Sequence, residues 1–202
     1  MIGVVDYGSG NLRSVCKALE AVEAKVSLVN GPDALSSVQA LVVPGVGAFG
    51  DCARNLQKCG MWDAIKSWLK DGKPYLGICL GYQLLFESSE EEEGVSGLGH
   101  FKGSVKRFKD TGLKIPHMGW NTLKIEKSEG GLYREIPDQS PVYFVHSYYP
   151  VPEDSSIVTA RTVYGDDFAA SVASGNVHAV QYHPEKSQAL GLAILRNFVS
   201  QI

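Results

Sequence analysis

The stretch Pro74-Tyr75-Leu76-Gly77-Ile78-Cys79-Leu80-Gly81-Tyr82-Gln83 decides how the rest of the chain is read. Its first half is an apolar, strand-like run and its second half opens a helical pattern, which predicts a strand over 74–78 and a helix over 80–87. Glycines flank Cys79 at the spacing Gly-x-Cys-x-Gly, the pattern of a nucleophile elbow with cysteine in place of serine. A sharp strand-to-helix turn needs backbone free of Cβ atoms on either side of the nucleophile. Such a turn presents Cys79 at the carboxyl end of a sheet, where open α/β folds bind their ligands. The thiolate is the reactive form of cysteine, and the start of a helix favours negative charge. The Leu80 backbone N–H would point at an oxyanion formed on an attacked carbonyl. Cys16, Cys52 and Cys59 fall in helical patterns instead and read as packed thiols.

Upstream of the elbow, short apolar runs at 2–5, 26–29 and 40–43 alternate with helical spacing at 12–22 and 51–69, the latter broken at Gly60. This alternation predicts parallel strands with helices on both faces. Downstream, runs at 103–108, 122–125, 142–146, 157–163, 169–173 and 177–182 read as strands. Turn signals at Gly130-Gly131, Pro137-Asp138, Gly165-Asp166 and Ser174-Gly175-Asn176 separate them, and a last helix covers 189–199. The expected fold is α/β: an open, mostly parallel sheet of the flavodoxin-like or Rossmann-like kind, helices on both faces, and antiparallel strands added in the C-terminal half. We expect one domain over 1–202.

The 202 residues are 44% hydrophobic and 20% charged, as in an ordinary soluble globular protein, and the net charge of −3 carries no basic footprint for nucleic acid. No apolar run reaches the roughly 20 residues of a membrane helix, and the first residues lack the pattern of a secretory signal. Four cysteines without a CxxC pair fit a reduced, cytoplasmic protein. The cysteines and histidines lack zinc-ligand spacing, so no metal is expected.

A catalytic cysteine needs a base held by a third group. Of the five histidines, His183 is the best placed: a strand-like run ends on it, Pro184 follows, and Glu185 comes next. Pro184 favours an extended conformation at His183 and cannot continue a ladder. Residues two apart in an extended chain share a face, so Glu185 can accept from His183 Nδ1 and leave Nε2 for Cys79. His178 lies inside the strand and reads as packed. His117 and His146 have no adjacent carboxylate.

Gly77-Ile-Cys79-Leu-Gly-Tyr-Gln83 together with His183-Pro-Glu185 resembles the class I, triad-type glutamine amidotransferases. Pro44-Gly-Val-Gly-Ala-Phe-Gly50 resembles their oxyanion-strand loop. Four further segments, Asp6–Asn11, Pro116–Asn121, Tyr143–Tyr148 and His183–Ser187, are similar to the branch that serves as glutaminase subunits of imidazole glycerol phosphate synthases. Two departures are visible: His100-Phe101-Lys102 stands where a proline often precedes the glycine here numbered 103, and Tyr182 replaces the usual phenylalanine. The resemblance implies that Cys79 attacks the side-chain amide of glutamine and that the oxyanion sits between the N–H groups of Leu80 and Gly47. It implies Gln83, Ser147, Tyr148 and Glu91 around the substrate, and no cofactor. It also implies a partner, a (β/α)8-barrel cyclase in a heterodimer that uses the ammonia in histidine biosynthesis, with Asn11, Trp120, Tyr143 and Lys186 at the interface. Glycines on both sides of Val46 permit a backbone rotation, so the partner is expected to set the Gly47 N–H.

Three other readings compete. Within the same fold stand the glutaminase partners of anthranilate synthase and pyridoxal phosphate synthase, and a free γ-glutamyl hydrolase. A flavodoxin-like or dinucleotide-binding module would use Gly8-Ser9-Gly10 as a phosphate cradle, but the fingerprint needs glycine where Arg13 stands. A silent interaction subunit would not need all of Cys79, His183 and Glu185. Glu90–Glu93 reads as a solvated loop.

Overall fold

The fold is taken from a computed structural model that describes residues 1–128 and 131–202, so Gly130 of the Gly130-Gly131 turn lies outside the described residues. The parallel half comes first: β1 (Ile2–Val5), α1 (Leu12–Glu20), β2 (Val26–Val29), β3 (Ala40–Gly45), α2 (Phe49–Lys58), α3 (Met61–Lys70) and β4 (Tyr75–Cys79). β1, β3 and β4 are buried along their whole length. That is why they are unbroken apolar runs rather than alternating ones: helices cover both faces of this part of the sheet.

The antiparallel half follows: β7 (His117–Ile125), β8 (Ser140–His146), β10 (Val158–Tyr164), β11 (Asp166–Ser174) and β12 (Val177–Val180), closed by α5 (Gln188–Val199). β8 alternates buried and more exposed positions, as a strand with one covered face must. The nine-stranded sheet runs β2-β1-β3-β4-β12-β11-β10-β7-β8. Its strands are parallel from β2 through β12 and antiparallel beyond. A second sheet holds β5 (Ser88–Ser89), β6 (Gly103–Arg107) and β9 (Tyr148–Pro152). Between the two sheets lies an aromatic cluster in which Phe168 stands 5.4 Å from Phe108 and 5.9 Å from Phe144, with His117 and His146 packed among the rings.

One pairing positions the site. β12 lies parallel to β4 with Val180 opposite Ile78, while Gly45 of β3 lies opposite Cys79 on the other side. Three neighbouring strands therefore deliver the Gly45–Gly47 loop, Cys79 and the Gln181-Tyr182-His183 segment to one sheet edge.

The structure differs most from the sequence expectation in three elements. The helix after the elbow, α4, is a single turn, Leu80–Gln83, not 80–87. The carbonyls of Leu84, Phe86 and Leu85 accept instead from the N–H groups of Leu98, Gly99 and Phe101. The second turn itself is lost on the donor side: Leu85 and Phe86 N–H donate three residues back, to Tyr82 and Gln83, and Glu87 N–H donates to the Gly103 carbonyl. β7 starts at His117 rather than 122, because β8 pairs with it all the way to His117↔His146. β9 was not expected, since Pro150 and Pro152 argue against a strand; it is the edge strand of the small sheet, where proline is tolerated.

Candidate active site

Cys79 has φ 55° and ψ −106°, a strained conformation for a residue with a side chain. The two flanking glycines are required by contact. A Cβ on Gly77 would come within 2.5 Å of the Gly81 carbonyl oxygen, and a Cβ on Gly81 would collide with the Val43 carbonyl. Tyr75 Oη donates to the Gly81 carbonyl at 3.0 Å and pins the turn from below. With one helical turn behind it, the elbow offers free N–H groups to negative charge but little macrodipole, which corrects the helix-dipole expectation. Cys79 is 2% exposed. Its Sγ lies 3.9 Å from the Val145 carbonyl and 3.7 Å from Gln181 Nε2.

His183 ends the β12 segment, with φ −105° and ψ 97° before Pro184. Its N–H donates to the Tyr143 carbonyl at 2.9 Å, and Ser187 Oγ donates to its carbonyl at 2.7 Å. Ser187 Oγ also accepts from the Tyr143 N–H at 3.0 Å, so the histidine backbone is clamped to β8. Nδ1 stands 2.8 Å from Glu185 Oε1, both side chains being 2% exposed. A carboxylate accepts, so Nδ1 carries the proton. Glu185 reaches the ring through a 3₁₀ turn, Pro184–Lys186, and not along an extended chain as expected. The residue that does share the extended face with His183 is Gln181. Its contact to the thiol was missed in the sequence, although the same two-residue spacing pointed to it.

His183 Nε2 is buried and, among the described residues, without a hydrogen-bond partner; so is Glu185 Oε2. The Cys79 sulfur lies close enough to act on the imidazole electrostatically without completing a hydrogen bond of ordinary geometry. Burial pulls the His183 pKa down, but the Cys79 charge and the Glu185 carboxylate beside it outweigh this and push it up to about 10.

The loop after β3 is held on one side. Ser9 Oγ donates to the Val46 carbonyl at 2.5 Å, and Tyr7 Oη donates to the Pro44 carbonyl at 2.7 Å. Across a trans peptide the Gly47 N–H is opposed to the Val46 carbonyl, so it points away from Ser9. Gly47 has φ 101° and open space around its Cα, whereas a Cβ on Gly45 would come within 2.5 Å of Leu80 and Tyr7. The two glycines thus do different things: Gly45 permits close packing, and Gly47 permits rotation. The Gly8-Ser9-Gly10 turn is engaged with this loop rather than open as a phosphate cradle.

A pocket of about 400 Å³ opens at this edge. Val46 and Gly47 line it from the β3 loop, Leu80 and Gln83 from α4, Ser147 and Tyr148 from the β8–β9 corner, with Glu91 and Lys186 at its rim. All four expected substrate residues therefore meet there. Glu91 is fixed, its Oε2 accepting from the Phe49 N–H at 2.7 Å. The rest of the acidic run stays at the solvent-exposed surface, where Glu90 pairs with Lys106 at 2.9 Å and Glu92 with Arg54 at 2.7 Å.

Three of the expected interface residues, Trp120, Tyr143 and Lys186, cluster on the same side. Trp120 is 48% exposed, so it does not pack in the core. Its ring lies 6.1 Å from Tyr143, and Lys186 Nζ stands 5.7 Å over the Tyr143 ring. Asn11 is exposed just before α1. No group of three or more potential metal ligands occurs among the described residues.

A nucleophile elbow, a histidine–glutamate pair and a glycine-rich loop on a half-parallel α/β sheet define a triad amidotransferase, and residues 3–202 match the family model of class-I glutamine amidotransferases. Two solved structures share the fold: a glutamine amidotransferase (TM-score 0.75, 23% identity, 98% of this chain and 97% of that one) and PurLQS from Thermotoga maritima (TM-score 0.77, 23% identity, 99% and 97%). Curated relatives are far more similar in sequence. The imidazole glycerol phosphate synthase subunit HisH of Moorella thermoacetica is 47% identical over 98% of this chain and 93% of its own. That of Aquifex aeolicus is 50% identical over 96% and 94%, and that of Synechocystis 46% over 100% and 96%. The chain belongs to the class-I glutamine amidotransferases and, within them, to the HisH subunits of imidazole glycerol phosphate synthase.

Proposed function

We propose that this chain hydrolyses glutamine at Cys79 and passes the ammonia to a (β/α)8-barrel cyclase bound to it as a heterodimer in the cytoplasm. The observation that carries this reading is the buried Glu185–His183 pair, with Nε2 unpartnered beside the Cys79 sulfur. In this scheme His183 holds the proton taken from the thiol while Cys79 Sγ bonds to the amide carbon of glutamine. The N–H groups of Leu80 and Gly47 stabilise the oxyanion, and His183 protonates the departing ammonia. Water activated by His183 then cleaves the thioester, releasing glutamate and restoring the thiol. Gln83, Ser147, Tyr148 and Glu91 hold the substrate.

The partner would cover the Asn11, Trp120, Tyr143 and Lys186 face, where Met118 is also 59% exposed. It would act on the site through the loop that pivots at Gly47. The near-complete burial of Cys79 supports a resting state that the partner opens. Glutamate formation should therefore be slow for the chain alone and rise at least about tenfold when the cyclase and its nucleotide substrate are added. Equal rates with and without the cyclase would refute activation by the partner, and no glutamate in either case would refute the glutaminase.

A further inference from the structure

The buried His117–His146 pair has no part in the chemistry above, yet it connects the half-buried Asn121 of β7 to the substrate pocket. His146 Nδ1 lies 2.8 Å from the Tyr148 carbonyl oxygen. A carbonyl only accepts, so Nδ1 is the protonated nitrogen and, in the neutral ring, Nε2 accepts. His117 Nδ1, 3.0 Å from His146 Nε2, must then be the donor. That leaves His117 Nε2 to accept from Asn121 Nδ2 at 3.3 Å. The Asn121 amide is oriented in turn by its Oδ1, which accepts from the Thr122 N–H at 2.8 Å. Burial holds His117 down to about 4 and His146 to about 3, which keeps both rings neutral and the direction of the chain intact.

The chain continues past Tyr148. Gln83 Nε2 donates to the same carbonyl at 2.9 Å and to Gln181 Oε1 at 3.2 Å. Both of its hydrogens are thus committed within the protein, and Oε1 is the atom left for an N–H of the ligand. Gln181, oriented by accepting from Gln83, turns its own Nε2 toward the Cys79 sulfur.

We propose that His117 and His146 are positioning residues: their tautomer-fixed chain from the half-buried Asn121 of β7 through the Tyr148 carbonyl sets the Gln83 amide, and so the binding of glutamine. The proposal rests on the glutaminase reading above. It predicts that the wild-type chain in complex with the cyclase shows both imidazoles as Nδ1–H tautomers in ¹⁵N–¹H spectra. It also predicts that His146→Leu in that complex raises KM for glutamine about tenfold or more, the scale of one lost hydrogen bond, with kcat within about threefold. His146→Asn should recover much of the loss, because its amide nitrogen can donate to the Tyr148 carbonyl. A merely structural role predicts the reverse order, since a smaller polar residue fills an aromatic cluster worse than leucine does. Nδ1 found unprotonated in either ring, or unchanged KM in His146→Leu, overturns the relay. A wild-type complex that forms no glutamate sinks the glutaminase reading instead.

Discussion

Cys79→Ala should lower glutamine hydrolysis by the cyclase complex about 10⁴-fold or more while leaving the chain folded and ammonium-driven product formation intact. The sulfur's polar contacts to Val145 and Gln181 are long, 3.9 Å and 3.7 Å, so its removal takes away reactivity and little packing. Alanine accepts the φ of 55° no worse than cysteine does, and the contacts that shape the elbow belong to Gly77 and Gly81. Because nucleophile and base act as a unit, adding His183→Ala to this variant should cost almost nothing further. Glutamate release and heat denaturation measured on the same preparation separate the two effects. Hydrolysis within tenfold of wild type would mean that Cys79 is not the nucleophile, and loss of ammonium-driven product would mean that the two activities are not divided between subunits.

Glu185→Gln should cost on the order of 10³–10⁴ in turnover despite being nearly isosteric. The wild-type carboxylate accepts from Nδ1 at 2.8 Å and leaves Nε2 free to take the thiol proton. An amide can turn its NH₂ toward Nδ1 and select the opposite tautomer, whose Nε2 already carries a proton. The pH signature has a definite sign. Glu185 is one of the groups that hold the His183 pKa up near 10 against burial, so without its charge the imidazolium should lose its proton at lower pH. Titration of the His183 resonances reads this directly. An unchanged midpoint would show that Glu185 orients the ring without stabilising its charge.

The elbow was legible in the sequence because its signals are local: two glycines around Cys79, an apolar run before, a helical start after. The His183–Glu185 pair was legible for the same reason, although the turn at Pro184 brings the carboxylate round by a different path. What escaped depends on distant backbone. α4 stops after one turn as the Leu85 and Phe86 N–H groups tighten to three-residue bonds and the Glu87 N–H goes to the distant Gly103 carbonyl, and no periodicity in 80–87 records that competition. β9 hid behind two prolines that only an edge strand accommodates. The His117–His146 contact joins residues brought opposite by the register of β7 and β8, which neither segment encodes alone. Oxyanion, substrate and interface residues were named through resemblance to a family rather than by spacing. Their convergence on one pocket and one face supports those assignments.

The central claim is that ammonia released at Cys79 is consumed by the partner before it meets bulk water. The complex supplied with glutamine labelled with ¹⁵N at the side-chain amide, in an excess of unlabelled ammonium and at a pH where most free ammonia is protonated, tests it. The ring nitrogen incorporated by the cyclase should carry ¹⁵N at close to the enrichment of the glutamine. Enrichment diluted to that of the bulk ammonium pool would contradict direct transfer between the two sites.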